Sequence, residues 1–386
     1  MNSLKWNPTP SALFEGEEKI LKNDAYFESL LSDISAAKES IDMEVYIFTE
    51  DIAGREIADA LCAAAERGVH IRILVDGIGT PFWGSGITKK MEKCGIKTRI
   101  FHPLPFIISH WGRAAHVPVA LIKKIIYLLS NCNSRNHRKI GIIDHQIVYV
   151  SSANIISYHL KKEKGGEEWR DTTVRLSHID TTYLQVAFEK VWHRFPFRKK
   201  LKIALKQHPI FNLNYSWYQR RYSYKTLLSK VRSAKKRIWI TNAYFVPDIF
   251  LLKALCKAAK HGIDIRILLP HQSDVLITSL VAKTFYSILI NSGISIYEYL
   301  PSMLHAKILI IDDFFSVGSS NLNSRSFWHD LEINVNIQTE ESKKILEEQF
   351  LADLKHSQQI DFNYLKKQSW IEKMMGRLLL FFRQWM

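Results

Sequence analysis

The sequence repeats one pattern in its two halves. Residues 30–38 read Leu-Leu-Ser-Asp-Ile-Ser-Ala-Ala-Lys, and residues 227–235 read Leu-Leu-Ser-Lys-Val-Arg-Ser-Ala-Lys. Each copy continues with a short apolar run, a helical stretch that contains Ala-Leu-Cys, and a second apolar run that starts at Gly68 or at Gly262. A chain of 386 residues is long enough for about two domains. The repeat therefore predicts two similar units.

Within each copy, apolar runs alternate with amphipathic stretches. Ile41–Phe48 and Ile238–Phe245 predict strands, and Ile57–Arg67 predicts a helix that ends at Gly68. This alternation is typical of an α/β fold. We expect a first half over residues 1–190 with an insertion at about 102–135, a basic and aromatic linker over 191–224, a second half over 225–350 and a helical tail over 351–386.

The same reactive triplet occurs once in each copy. The first copy has His137, Lys139 and Asp144, and the second has the same residue types at the same spacing: His305, Lys307 and Asp312. Side chains two residues apart on a strand point to one face, so each His and Lys should act together. This pairing offers a nucleophile beside a clamp for phosphate oxygens. The aspartates follow at the far end of the predicted strand, where a structural role is the stronger expectation.

Polar residues that can hold a phosphoryl group follow each triplet. Ser152 and Asn154 lie in a turn of small residues in the first copy, and Ser319 and Asn321 lie in the equivalent turn of the second. Their hydroxyl and amide groups can donate to phosphoryl oxygens. An acidic residue comes next in each copy, namely Asp171 and Glu332. A carboxylate on one imidazole nitrogen would fix the tautomer and leave the other nitrogen to attack.

These motifs resemble the phospholipase D superfamily and, within it, bacterial cardiolipin synthases of the short form without N-terminal membrane spans. The resemblance extends from about Phe27 to about Phe350. It implies two α/β/α sandwich halves related by a pseudo-twofold axis, one active site between them, and neither metal nor cofactor. It further implies that one histidine attacks phosphorus while the other acts as acid and base, and we assign these roles to His137 and His305. The lysines and asparagines named above would neutralise the transition state.

One residue departs from the family pattern. Ser151 occupies a position where the family usually has glycine, whereas the second copy keeps Gly318. A Cβ at this position would crowd a tight turn if the backbone required positive φ. We still expect activity, because Ser152 and Asn154 are both present.

The charge of the chain indicates a polyanionic partner. An excess of 53 Lys+Arg over 38 Asp+Glu gives a formal charge of +15, which suits nucleic acid or an anionic membrane surface. The tail Ser369–Met386 favours the membrane, because it places apolar residues at helical spacing among cations: Trp370, Met374, Leu378, Phe381 and Trp385. A terminal helix docked on the protein is the alternative. The basic and aromatic stretch Arg194–Arg221 suits either polyanion or a plain linker.

The preferred function is a phosphatidyltransferase that joins two phosphatidylglycerols into cardiolipin. Hydrolysis or transfer to another alcohol, a nuclease, and a non-catalytic binding protein are the alternatives. The expected partners are an anionic phospholipid surface and phosphatidylglycerol rather than nucleic acid. We see no signal peptide and no run of apolar residues long enough to span a bilayer, so we expect a peripheral protein on the cytoplasmic face of the membrane. The insertion, which includes Val117–Leu129, is either a surface excursion or an interfacial flap that admits lipid.

Overall fold

The structure, a computed structural model, describes residues 15–84, 86–104, 107, 110, 112–114, 133–193 and 208–381. The elements of the first half are β1 (Glu17–Lys22), α1 (Asp24–Ala36), β2 (Ser40–Val45), α2 (Ile52–Glu66), β3 (His70–Asp76), α3 (Gly86–Lys93), β4 (Lys97–Phe101), β5 (Ile140–Ile143), β6 (Ile147–Ser151), β7 (Thr172–Ser177) and α4 (Thr182–His193). Those of the second half are β8 (Phe211–Leu213), α5 (Trp217–Ser233), β9 (Arg237–Thr241), α6 (Ile249–Lys260), β10 (Asp264–Pro270), α7 (Leu276–Asn291), β11 (Ser295–Tyr299), β12 (Ile308–Ile311), β13 (Phe314–Gly318), α8 (Ser324–Trp328), β14 (Ile333–Asn336), α9 (Glu340–Lys355), β15 (Ser357–Ile360), α10 (Phe362–Lys367) and α11 (Trp370–Leu379).

The two halves contain equivalent mixed sheets. The first sheet has the strand order β1-β7-β6-β5-β2-β3-β4, and the second has β8-β14-β13-β12-β9-β10-β11-β15. In each, three parallel strands adjoin an antiparallel meander that begins with the motif strand, β5 or β12. The expected α/β fold of two similar halves is therefore confirmed.

The sheets pack against each other through one shared core. Buried aliphatic side chains from the inner faces of both sheets form it, among them Ile140, Val150, Val174, Ile308, Val317 and Ile333. A separate apolar core covers the outer face of each sheet beneath its own helices. Backbone hydrogen bonds also join the halves, since His137 N–H donates to the Leu331 carbonyl (3.0 Å) and Arg170 N–H donates to the Met303 carbonyl (2.8 Å). The first motif histidine thus lies directly on the seam between the halves.

The motif aspartates lie at the far ends of the motif strands. Asp144 accepts hydrogen bonds from the backbone N–H groups of residues 38–40 at 2.8–3.0 Å, and Asp312 accepts the equivalent three from residues 235–237. Both residues have left-handed backbone conformations, with φ of 48° and 50°. These contacts tie the end of the motif strand to the start of β2 or β9, which supports the expected structural role.

The turn after β6 accommodates Ser151 for a reason that differs from our expectation. Neither Ser151 nor Gly318 has positive φ, so the turn does not require glycine for its backbone conformation. A Cβ on Gly318 would lie 2.2 Å from the Ile333 carbonyl oxygen and 2.4 Å from Asn334 Oδ1. Thr173 faces Ser151 in the equivalent register, and their hydroxyls form a 2.5 Å hydrogen bond. The close approach of the neighbouring strand, including its backbone at Ile333, therefore requires glycine at 318.

The linker expected over residues 191–224 is shorter in the structure. Phe211–Leu213 pairs with β14 as an edge strand, and α5 begins at Trp217 after a reciprocal cap formed by Ser216 and Gln219. The second half therefore begins well before residue 225. Residues 194–207 of the linker lie outside the described residues.

The expected tail is partly integrated into the second half. Strand β15 extends the second sheet by pairing with β11, and α9 crosses the expected boundary at residue 350. Helix α11 packs on α7 where Gly376 meets the Leu280 carbonyl and Thr284, yet it leaves an apolar stripe exposed: Trp370, Met374, Leu378 and Phe381. Trp385 lies outside the described residues. In the described part of the chain, none of the helices is both long enough and apolar enough to cross a membrane.

Only the ends of the insertion at about 102–135 are described, and Val117–Leu129 lies outside them. At its C-terminal end, Ser134 Oγ donates to the His329 carbonyl (3.0 Å), and Arg135 N–H donates to Asp330 (3.1 Å). The insertion therefore ends against the second half.

Candidate active site

Both motif histidines line a single cavity between the halves. His137 precedes β5 and His305 precedes β12, so the two equivalent strands direct them to the same seam. They share the wall of a cavity of about 680 Å³ with Asn154 and Asn321. Apolar and aromatic side chains complete its lining, including Ile78, Tyr158, Trp169, Val275 and Ile277. A mostly apolar cleft with a few convergent polar groups is the usual form of a ligand site.

Each histidine receives its carboxylate from the opposite half. His137 Nδ1 lies 3.1 Å from both carboxylate oxygens of Glu332, and His305 Nδ1 lies 2.9 Å from Asp171 Oδ1. All four side chains are buried. A carboxylate on Nδ1 holds the proton there and leaves the lone pair on Nε2. The geometry thus provides two oriented imidazoles, each dependent on both halves.

The motif lysines are buried next to their histidines. Lys139 Nζ donates to the carbonyl of His137 (2.8 Å), and Lys307 Nζ donates to the carbonyl of His305. Burial, together with the Lys307 charge, lowers the pKa of Lys139 to about 7, and burial lowers the pKa of Lys307 to about 8. A phosphodiester anion in the cavity would favour the charged form of both lysines. Neither lysine is among the residues that line the cavity, so their contact with a phosphodiester stays a prediction.

Burial also favours neutral imidazoles. It lowers the pKa of His137 well below its ordinary value, and Lys139 and Lys307 add to the effect. Burial and the charge of Lys307 lower the pKa of His305 to about 4. Neutral imidazoles can attack phosphorus, whereas a general acid must be protonated. A bound phosphodiester would raise both pKa values, because its negative charge offsets the lysines.

The two carboxylates differ in charge state. Burial raises the pKa of Glu332 to about 7. Burial also works to raise the pKa of Asp171, but the imidazoles of His305 and His159 hold it well below its usual range. The surroundings therefore favour the charged form of Asp171 more strongly than that of Glu332.

The predicted phosphate-binding residues fall into two groups. Asn154 and Asn321 line the cavity, and Oδ1 of Asn321 has no hydrogen-bond partner among the described residues. Ser152 Oγ instead donates to the Thr172 carbonyl (3.1 Å), and Ser319 Oγ donates to the Glu332 carboxylate. Both serines therefore hold the loops that carry the carboxylates, and their phosphate contact stays a prediction.

Comparison with known proteins identifies the family. The sequence matches the family model described as cardiolipin synthase, phospholipase D-like domain, over residues 30–192 and 227–354. A cardiolipin synthase of Clostridium perfringens is 31% identical over 369 residues, which cover 91% of this chain and 72% of that protein. One of Halalkalibacterium halodurans is 29% identical over 383 residues, which cover 96% and 70%. The chain belongs to the cardiolipin synthase family.

Family membership confirms the resemblance drawn from the duplicated motif. It identifies the chain as a phosphatidyltransferase of the phospholipase D type. The crystal structure of phosphatidylserine synthase from Haemophilus influenzae has a TM-score of 0.63 at 13% identity, and the match covers 95% of this chain and 92% of that one. At this identity the likeness supports the fold alone.

The sequence did not reveal that the carboxylates cross between halves, nor that His159 takes part. His159 is fully buried on a short 3₁₀ turn (Ser157–His159), and its Nδ1 lies 2.6 Å from Asp171 Oδ2. A usable signal was present, because His159 follows Asn154 by five residues just as Ser326 follows Asn321. Without the contact to Asp171, however, a lone histidine in a loop indicates no role.

His159, Asp171 and His305 also form a group with the residue types of a metal site. Their potential ligand atoms lie within 4.8 Å of one another. The two ring nitrogens already face the two Asp171 oxygens at 2.6 and 2.9 Å, so a metal ion would have to displace both contacts. Only the contact of His305 is a hydrogen bond, since His159 Nδ1 and Asp171 Oδ2 lack hydrogen-bond geometry. A metal-free site stays our prediction.

Proposed function

We propose that this chain joins two molecules of phosphatidylglycerol into cardiolipin and releases glycerol. The observation that carries the proposal is the pair of oriented imidazoles, His137 and His305, in the wall of one cavity. Family membership supports the phospholipid substrate, because its curated relatives are named cardiolipin synthase.

The reaction proceeds in two balanced steps. Nε2 of His137 attacks the phosphorus, forming a P–N bond while the P–O bond to glycerol breaks, and protonated His305 gives its Nε2 proton to the leaving oxygen. The headgroup hydroxyl of a second phosphatidylglycerol then gives its proton to His305 and attacks the same phosphorus, and the P–N bond breaks. His137 is again neutral and His305 is again protonated. Lys139 and Lys307 stabilise the equatorial oxygens in both transition states.

The asparagines suit a polyol headgroup. Asn321 offers a buried amide oxygen to the cavity, and a glycerol hydroxyl can donate to it. The hydroxyl groups of both the leaving glycerol and the acceptor lipid need such a partner when they enter a cavity from water. This contact would favour an alcohol acceptor over a sterically smaller water molecule.

The cleft mouth is suited to the surface of a bilayer. Four residues of the cavity wall are also substantially exposed, and we call them the cleft rim: Ile78, Tyr158, Val275 and Ile277. Leu276, beside them at the start of α7, is 70% exposed. Helix α11, which carries the exposed apolar stripe, packs on α7 at Leu280 and Thr284. Apolar side chains combined with a net charge of +15 favour the anionic leaflet that faces the cytoplasm. We therefore propose peripheral binding with the cleft rim against the lipid.

Product analysis tests the reaction. Purified protein is incubated with vesicles of phosphatidylglycerol whose headgroup is deuterated, and in parallel with single-stranded DNA, and the products are measured by mass spectrometry. We expect one cardiolipin for each labelled glycerol released, and intact DNA. His305→Ala should abolish both lipid products, whereas a matched change of the exposed His178 to Ala should not. Phosphatidic acid without cardiolipin would show hydrolysis instead, and cleavage of DNA alone would refute the lipid assignment.

A further inference from the structure

The two catalytic carboxylates have different partners at equivalent positions. In the first half, the Asn154 N–H donates to His159 Nε2 (3.2 Å), and His159 Nδ1 lies 2.6 Å from Asp171. In the second half, the Asn321 N–H donates to Ser326 Oγ (3.2 Å), which in turn donates to Glu332 (2.7 Å). An imidazole and a hydroxyl thus occupy the same place in two otherwise matching clusters. The pseudo-symmetry of the active site is broken here.

The contacts of His159 determine its tautomer. Because Nε2 accepts the N–H of Asn154, that nitrogen carries the lone pair. The ring proton is therefore on Nδ1, which faces Asp171 Oδ2, while His305 Nδ1 faces Oδ1. Asp171 thus lies between the Nδ1 atoms of two imidazoles. Its contact with His305 Nδ1 is a hydrogen bond, whereas His159 Nδ1 approaches Oδ2 to 2.6 Å without hydrogen-bond geometry. Close contacts on both sides restrict rotation of the carboxylate away from His305.

The second half holds its carboxylate by weaker, rotatable donors. Glu332 is contacted by the hydroxyls of Ser319 and Ser326 and shares its two oxygens symmetrically with His137 Nδ1. A hydroxyl proton can turn to another acceptor, whereas an imidazole N–H is fixed in the ring plane. The position of the Glu332 carboxylate beside His137 is therefore fixed less rigidly than that of Asp171 beside His305.

We propose that His159 is a positioning residue that locks Asp171 onto His305 and so assigns proton transfer to His305 and attack on phosphorus to His137. The inference rests on the proposed function. An anion fixed beside Nδ1 stabilises the imidazolium of His305, which is the form that protonates the leaving glycerol. His137, opposite the less firmly held carboxylate, works as a neutral nucleophile.

The test varies the need for a proton on the leaving group. The native substrate phosphatidylglycerol releases an alkoxide that must be protonated, whereas a phosphatidyl ester of p-nitrophenol releases a phenolate that needs no proton. His159→Leu removes the donor to Asp171, and His159→Asn keeps a donor at the position of Nδ1. His271→Leu is the control, because it removes a similar histidine–carboxylate contact, that of His271 Nδ1 with Glu298 at 2.9 Å. Neither of these residues lines the cavity.

We expect His159→Leu to lower kcat on phosphatidylglycerol by about 10²-fold, the lower end of what general acid catalysis contributes. The rate of the initial burst of p-nitrophenolate from the ester should fall less than about fivefold, because this first step needs no proton from His305. His159→Asn should recover most of the activity on phosphatidylglycerol, and KM should change little in either variant. His271→Leu should match the parent protein on both substrates.

Equal losses on both substrates, or failure of His159→Asn to recover activity, would show that His159 only supports the fold. If His159→Leu does not fold, His159→Ala replaces it, since alanine also removes the N–H group beside Asp171, and the same ratio of losses decides. A parent protein that consumes neither lipid would refute the proposed function itself, a result distinct from any pattern among the variants.

Discussion

Substitution of the aspartate at the end of each motif should change stability without changing catalysis. In Asp312→Ala, three hydrogen bonds from the backbone N–H groups of residues 235–237 to the carboxylate are lost. Hydrogen bonds to charged groups contribute about 1.5–3 kcal/mol each when buried. Asp312 is partly exposed, and water can replace the lost partners. We therefore take about 2 kcal/mol as the stabilisation lost with all three hydrogen bonds. Alanine at φ 50° adds about 1 kcal/mol of backbone strain.

Asp312→Ala should therefore lower the free energy of unfolding by about 3 kcal/mol. With an m-value of about 3 kcal/mol per molar urea, the unfolding midpoint should fall by about 1 M. Asp313→Ala changes the next, exposed residue and should shift the midpoint little. Asp144→Ala should repeat the effect in the first half, because Asp144 has the equivalent contacts. Circular dichroism in urea measures all three.

The pH dependence gives an independent check. Partial burial opposes ionisation of Asp312, but its three backbone donors hold the pKa below the ordinary 3.8. A lowered folded-state pKa means that the stabilisation is complete above about pH 4 and is lost as the pH falls through the folded pKa. The difference between wild type and Asp312→Ala should thus stay constant from pH 8 to 5. A kcat per folded molecule that falls more than about tenfold in Asp312→Ala would refute the structural role and indicate direct chemistry.

Three further variants test other parts of the structure. Gly318→Ala should lower the free energy of unfolding, measured in urea, by about 2 kcal/mol or more, because the new Cβ would overlap the Ile333 carbonyl. Ser151→Gly should lower it by only about 1 kcal/mol, through loss of the hydroxyl contacts. Equal effects of the two variants would contradict the close approach at Gly318. Burial raises the pKa of Glu332 to about 7, so its stabilising, protonated form is lost as the pH rises through 7. Glu332→Gln should therefore gain stability relative to wild type between pH 5 and pH 8 in thermal unfolding, and a flat difference would show that Glu332 stays ionised. Asp171→Asn should lower kcat on phosphatidylglycerol by about 10²–10⁴-fold while the circular dichroism spectrum is unchanged, and retained turnover would exclude Asp171 from orienting a histidine.

The sequence predicted those features of the fold that depend on local pattern. The duplicated apolar periodicity correctly gave two equivalent α/β halves. The two-residue spacing assumed that His137 and Lys139 lie on a strand, whereas both precede β5, and their joint action stays a prediction. The short edge strand Phe211–Leu213 was missed because three residues are too few for a periodic pattern. Its existence depends on pairing with β14, which lies more than a hundred residues later.

The parts of the site that were missed depend on contacts between the halves. The sequence predicted Asp171 and Glu332 as supporting carboxylates, but it did not indicate that each contacts the histidine of the other half. Whether a carboxylate reaches the near or the far histidine is determined by how the sheets pack, and one sequence contains no such pairing information. The need for glycine at 318 but not at 151 is similar, since it depends on how closely the neighbouring strand approaches at Ile333 and Asn334.

The crossed carboxylates link catalysis to the seam between the halves. Asp171 and Glu332 are each about 1% exposed, and an unpaired buried carboxylate is strongly destabilising. Each contacts a histidine of the opposite half as well as groups of its own half, so opening the seam would leave both carboxylates without one partner. Mutations that open the seam should therefore remove activity and stability together, whereas a change confined to one outer helix layer should affect stability alone. We therefore expect that loss of either triplet abolishes activity, since each histidine contacts a carboxylate of the partner half.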